Sequence, residues 1–231
     1  MIRLPLSMTF LSLLAASALA NGGETFRAQG NEPSWSLRIT DGTITFQPLD
    51  GNMVTVAPIP QPRQEGDAVI HEAKSGGDSF TLTIGSKICT DTMSGMPFPK
   101  SVTVALGEKT FTGCGGEPAT LLRGAWLITE INGKTIVAGS TPSLSFEADG
   151  KVNGDGSCNR FFGGYLLSGE GLTVGSVGAS MMMCDDALMD QEGHIFEVLK
   201  DLAGFGISED GELILRTKDG RTMTAKRGGL R

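Results

Sequence analysis

The chain has 231 residues, a formal net charge of −7, 19% charged residues and 33 glycines, about twice the ordinary glycine share. Its mean hydropathy is near zero, which excludes an intrinsically disordered chain, and the one long apolar run lies at the extreme N-terminus, which excludes a multi-span membrane protein. An acidic chain without a basic run cannot neutralise phosphates, so no nucleic-acid partner is expected.

Residues 1–20 have the three parts of a secretory signal peptide. Arg3 precedes a short apolar stretch, Met8 to Ala16, and Ala18-Leu19-Ala20 forms an A-x-A cleavage site. The apolar stretch is too short to span a bilayer, and position 21 is Asn rather than the Cys of a lipoprotein. Cleavage after Ala20 is expected, placing residues 21–231 in the periplasm or outside the cell with no transmembrane span.

Strand patterns dominate 21–118. Ser34 to Ile39 and Gly42 to Gln47 alternate polar and apolar residues about a turn at Asp41-Gly42, a hairpin signal. Asp78 to Ile84 alternates again, and Val102 to Leu106 and Lys109 to Thr112 flank Gly107-Glu108. Ala57 to Pro62 has proline at every second position and is expected as a loop or an edge.

A second domain is expected over 119–231. Ala125 to Ile131 reads as a strand ending in a tight turn at Asn132-Gly133. Asp149-Gly150 and Asp219-Gly220 are each flanked by strand patterns and read as type I′ hairpins. Between these hairpins, Leu188, Ile195, Phe196, Leu199 and Leu202 fall on one face of a helix expected over 187–202, with Asp185 and Asp186 at its N-terminus. The expected fold class is mainly β with one helix: two small antiparallel β-sheet or partial-barrel domains, the second α+β. The halves 21–118 and 119–231 carry equal net charge, so neither is a charged tail.

The four cysteines allow three disulfide connectivities. Cys89 and Cys114 are 25 apart, and Cys158 and Cys184 are 26 apart. Sequential pairing keeps each bridge within one half. A zinc site is not expected, because no C-x-x-C occurs and His71 and His194 lie far apart; no metal or cofactor is expected.

Gly156 to Gly164 lacks the spacing of a dinucleotide loop, so it reads as a bulged strand pinned by a bridge, with Phe161 or Phe162 inside. Within it, Asn159 suits a turn and Arg160 suits an anion. Met181-Met182-Met183-Cys184 suggests soft-metal ligation, but a bridged Cys184 offers no thiolate, and core packing by flexible methionines is the expectation. The only candidate bases are His71 and His194, no G-x-S-x-G is present, and nothing in sequence joins Glu32, Asp91 and Asp155. No catalysis is expected.

Several blocks carry a family resemblance: Trp126-Leu127, Ile131-Asn132-Gly133, Leu144-Ser145-Phe146, Val152 to Tyr165 with its Cys158-Asn159-Arg160-Phe161 centre, Met182-Met183-Cys184, and Met189, Glu192, Phe196 and Leu199. Over 119–227 the chain resembles the META domain, also called HslJ-like, although Ser157 stands where the family pattern has a glycine. Gly30 to Trp35, Cys89 to Pro99 and Gly113 to Gly116 resemble an uncharacterised bacterial envelope domain found ahead of META domains. The resemblance implies envelope proteins without a known reaction, associated with heat shock, antibiotic tolerance and, in parasites, motility and virulence.

The expected function is therefore non-catalytic binding or stress protection in the envelope, toward a macromolecular or amphipathic ligand. Trp35, Met93, Met96, Phe98, Trp126, Asn159 and Arg160 are the candidate binding residues. Two alternatives remain: an inhibitor of a secreted hydrolase such as lysozyme, using a loop between Cys89 and Pro99, and an envelope enzyme.

Overall fold

The computed structural model describes residues 25–228; the expected signal peptide lies outside them. The first half runs through β1 (Phe26–Asn31), β2 (Ser34–Thr40), β3 (Thr43–Pro48), β4 (Val54–Val56), β5 (Arg63–Glu65), β6 (Ala68–Ser75), β7 (Asp78–Gly85), β8 (Cys89–Thr90), β9 (Pro97–Phe98), β10 (Lys100–Leu106) and β11 (Lys109–Gly115). Nine of these strands form one antiparallel sheet in the order β4-β3-β2-β1-β11-β10-β7-β6-β5. Alternation fixes which face is inside: β2 buries Trp35 and Leu37 and exposes Ser34, Ser36 and Arg38. The sheet curls into a half-barrel around Phe46, whose ring packs on Trp35, Phe80 and Phe111 at centroid distances of 5.7, 6.3 and 5.1 Å. Its two edges, β4 and β5, are joined by the proline-spaced segment 57–62. The prolines lack the N–H that would extend either edge.

Between β7 and β10 the chain leaves the sheet as a tongue. Its two short strands pair Cys89 with Phe98 and Thr90 with Pro97. The Cys89–Cys114 bridge, with Cα atoms 5.4 Å apart, ties its base to β11. Asp91 holds its tip: one carboxylate oxygen accepts from the Met93 and Ser94 backbone N–H groups and the Ser94 hydroxyl, and the other accepts from Asn31 Nδ2.

A single helical turn, α1 (Ala119–Leu122), opens the second half and was not expected from the sequence. It leads to β12 (Gly124–Ile131), β13 (Lys134–Thr135), β14 (Ser143–Phe146), β15 (Lys151–Asp155), β16 (Arg160–Ser168), β17 (Gly171–Val174), β18 (Gly178–Ala179), α2 (Asp186–Lys200), β19 (Leu202–Ile207), β20 (Leu213–Thr217) and β21 (Thr222–Arg227). These strands form a nearly closed antiparallel barrel in the order β17-β16-β15-β14-β12-β21-β20-β19, with β13 on β12 and β18 on β16. The edges β17 and β19 meet at Gly171. Its φ is +129°, and a Cβ there would lie 2.0 Å from the Ala203 carbonyl oxygen, so closure requires glycine.

Two turn assignments need correction. Asp41-Gly42 and Asn132-Gly133 have positive φ at both residues, as a type I′ turn requires. At Asp149-Gly150 and Asp219-Gly220 only the glycine does, so these loops are longer turns closed by a left-handed glycine. The helix also stops at Lys200 rather than 202. Leu202 opens β19 instead and still reaches the core.

The second core gathers Trp126, Phe146, Phe161, Leu215 and Met223 with the α2 face Ile195, Val198 and Leu199. Met96 of the tongue is buried in this same core, with Phe98 packed against it. The first half therefore supplies part of the second half's interior.

Candidate ligand-binding surface

Two polar side chains on the buried face of α2 hold the hairpin turn between β15 and β16. Glu192 accepts hydrogen bonds from the Cys158 and Asn159 backbone N–H groups at 3.2 and 2.6 Å, and from Asn159 Nδ2 at 2.8 Å. Gln191 accepts from the Val137 N–H and donates to the hydroxyls of Ser140 and Ser157. The fit is close: a Cβ at Gly156 would lie 2.7 Å from the Glu192 carboxylate. Ser157 has φ +99°, a conformation that suits glycine. Its hydroxyl takes a hydrogen bond from Gln191 in return.

The same turn anchors the segment ahead of α2. Asn159 Oδ1 accepts from the Met182 N–H at 2.7 Å and from the Ser180 hydroxyl. The Cys158–Cys184 bridge, with Cα atoms 5.9 Å apart, closes the segment's end. Met181, Met182 and Met183 thus ride on a fixed backbone, yet their side chains are 93%, 57% and 88% exposed. This overturns the expectation of core packing. The segment is neither strand nor helix, so no periodicity turns one side inward. Phe162, 69% exposed, lies on the outer face of the adjoining β16, where it pairs with Gly178 of β18.

Immediately beyond Cys184 the surface becomes acidic. Asp185 and Asp155 share a cleft of about 410 Å³ with Ser157, Leu188 and the 137–141 loop, and no basic side chain lines it. Asp186 and Asp190 are exposed on the first turns of α2. Among the described residues, no ion pair involves Asp155, Asp185, Asp186 or Arg160. The arrangement is an apolar, adaptable strip followed by the exposed carboxylates Asp185 and Asp186, with Arg160 set opposite Asp155 across the hairpin.

The other candidate residues fall elsewhere. Trp35 and Trp126 are buried, with their indole N–H groups donating to the carbonyls of Thr112 and Leu122. Arg227 lies 4.0 Å from the Trp126 ring centroid. Neither tryptophan offers a ring face to a ligand. Met96 is interior and Phe98 half-buried in the seam, so Met93 is the one large apolar side chain at the exposed tongue tip, Thr92 to Gly95. Asn159 is buried and engaged in positioning, while Arg160 is exposed opposite Asp155 in the β15–β16 ladder.

The two candidate bases make separate local contacts. His71 faces the Pro60 carbonyl at 3.1 Å, and His194 is an exposed helix residue near Glu197. Glu32 and Asp91 do line one cleft, about 490 Å³, between the tongue and β1, β10 and β11. Burial alone would raise the Asp91 carboxyl, but donation from Ser94, Asn31 and Met93 outweighs it and holds its pKa below the ordinary aspartate value. That carboxylate fastens the tongue. Among the described residues, no cluster of His, Cys, Asp or Glu has metal-site geometry.

Comparison with known proteins bears on the second half. The family model described as the META domain matches residues 119–228. Residues 119–228, just under half of the chain, are similar to the META domain. The match does not reach residues 21–118. No curated protein matches the chain. A solution structure of a protein from Burkholderia xenovorans is 23% identical, with a TM-score of 0.41, over 48% of this chain and 86% of that one. A second solution structure is 29% identical, with a TM-score of 0.40, over 48% and 94%.

Within the segment that matches the META model, the Cys158-Asn159 turn, Glu192 and Met182-Met183-Cys184 meet in space. Gln191 escaped the sequence reading, and Glu192 entered it only through the family resemblance with no role assigned, although the signal was present: both fall on the helix face that carries Leu188, Ile195 and Leu199. Polar residues on a buried stripe must find partners, and here the partner is the bridged turn. Two disulfides fit an oxidising compartment, the META domain suggests an envelope-associated role, and no helix among the described residues is long and apolar enough to cross a membrane.

Proposed function

We propose that the protein binds cationic amphipathic ligands, peptides above all, in the periplasm or outside the cell, without turning them over, and that it protects the envelope by sequestering them. The observation that carries this reading is the exposed Met181–Met183 strip, which runs through the bridged Cys184 directly into the exposed carboxylates Asp185 and Asp186. Unbranched thioethers adapt to varied apolar shapes. The carboxylates select Lys and Arg on the ligand's polar face, and a chain of net charge −7 attracts such ligands from a distance. Phe162 adds an aromatic anchor. The bridge, Asn159 and Glu192 fix the strip's backbone in advance, which limits the ordering cost of binding.

The inhibitor reading draws on the same charge, since a basic hydrolase would also be attracted. Its candidate loop, however, projects Met93 and Ser94 rather than a carboxylate, because Asp91 is turned inward.

Calorimetric titration of the exported protein with an amphipathic Leu/Lys helical peptide tests the proposal. Binding should weaken as salt rises, a Leu/Glu peptide of the same pattern should not bind, and the Leu/Lys peptide should be recovered intact. Cleavage of the peptide, or equal binding of both peptides, would overturn the reading.

A further inference from the structure

We propose that Met181, Met182 and Met183 form a surface sulfoxidation site: hydrogen peroxide or a hypohalous acid converts them to sulfoxides while the fold stays intact, and the conversion releases the bound ligand. The release rests on the peptide-binding reading above; the modification site does not.

All four cysteines are in disulfides, so the sulfur left to react is in methionine thioethers. Met53, Met93 and Met189 stand exposed singly, and Met181, Met182 and Met183 are the three exposed in one run. Met181 and Met183 are almost fully open, whereas Met96 is 7% exposed and Met223 is sealed in the second core. Oxidation follows access to the sulfur. The three side chains of the strip also contribute nothing to either core. Their backbone is held independently of them, by Asn159 at Met182 and by the bridge at Cys184. An added oxygen therefore leaves the packing of the fold unchanged, whereas the same oxygen on Met223 would sit inside the barrel.

The step with hydrogen peroxide balances simply. A sulfur lone pair attacks one peroxide oxygen, the S–O bond forms and the O–O bond breaks. The departing hydroxide takes the proton from the sulfur-bound oxygen and leaves as water. Sulfur is oxidised by two electrons and the peroxide is reduced. A dithiol reductant reverses the change, removing the oxygen as water and becoming a disulfide. The product is polar, so the strip ceases to be an apolar surface.

The test treats the exported protein with hydrogen peroxide and follows it three ways: peptide mapping of sulfoxides, thermal unfolding, and titration with the Leu/Lys peptide. Sulfoxides should form at Met181, Met182 and Met183 before any at Met96 or Met223, with the unfolding temperature unchanged and peptide affinity lost. The variant M181L/M182L/M183L keeps the strip apolar and should bind the peptide equally before and after peroxide. Early sulfoxide at Met223, or unfolding that accompanies oxidation of the strip, would overturn the modification site. Unchanged affinity after oxidation, or equal loss in the leucine variant, would overturn the release. If the untreated protein does not bind the peptide, the binding reading and the release both fall, while the sulfoxide map and the unfolding temperature decide the modification site on their own.

Discussion

Glu192 accepts hydrogen bonds from both the backbone and the side-chain nitrogen of Asn159, at 2.6 and 2.8 Å, across 33 residues of sequence. The pair welds α2 to the bridged turn, and with it the backbone of the methionine strip. Glu192→Ala leaves buried donors without an acceptor and should cost about 2–3 kcal/mol. Glu192→Gln keeps one acceptor oxygen and should cost less. Urea unfolding monitored by circular dichroism measures both.

Met96 stands in the first half of the chain but fills the second core. Met96→Ala should therefore destabilise by about 2–4 kcal/mol in an unusual place. Amide hydrogen exchange should accelerate in β19, which packs on β9 of the tongue, more than in β2 and β3. Acceleration confined to the first sheet would contradict the shared seam.

The tongue carries an acid dependence of known sign. Asp91 has a folded pKa below its unfolded value near 3.9, so its contribution is full above that pH and is lost as pH falls through the folded pKa. Asp91→Asn should lower stability at neutral pH by about 2 kcal/mol and flatten the acid limb of the stability curve. Urea midpoints measured from neutral pH down into the acid range test both effects.

Local chemistry made much of this legible in the sequence. Alternation set the faces of β2, β3 and β7, helical spacing located α2, and cysteine spacing gave both bridges. What escaped was long-range. Nothing near Met96 announces that its pocket lies in a core built after residue 119. The Met181–Met183 run reads as core because composition alone treats methionine as apolar. Its exposure follows from the Asn159 and Cys184 anchors, which remove it from any strand or helix. Barrel closure at Gly171 depends on Ala203, on the far edge of the sheet.

Gly171→Ala tests that closure. A side chain there meets the Ala203 carbonyl and a backbone conformation that only glycine adopts easily, so the loss should be about 1–3 kcal/mol or more. Gly169→Ala is the control, since a Cβ at Gly169 meets nothing within 4 Å. Thermal unfolding should separate the two variants clearly.

Binding without proton transfer should not need either histidine. His71→Ala and His194→Ala should take up the Leu/Lys peptide with unchanged affinity and leave it intact, as calorimetry and mass analysis of the recovered peptide would show.

The most direct measurement is methyl NMR of methionine-labelled protein during titration with the Leu/Lys peptide. Shifts should appear at Met181, Met182 and Met183, while Met96 and Met223 stay still. Resonances that move only at Met93, or none that move, would contradict the methionine strip as the binding surface.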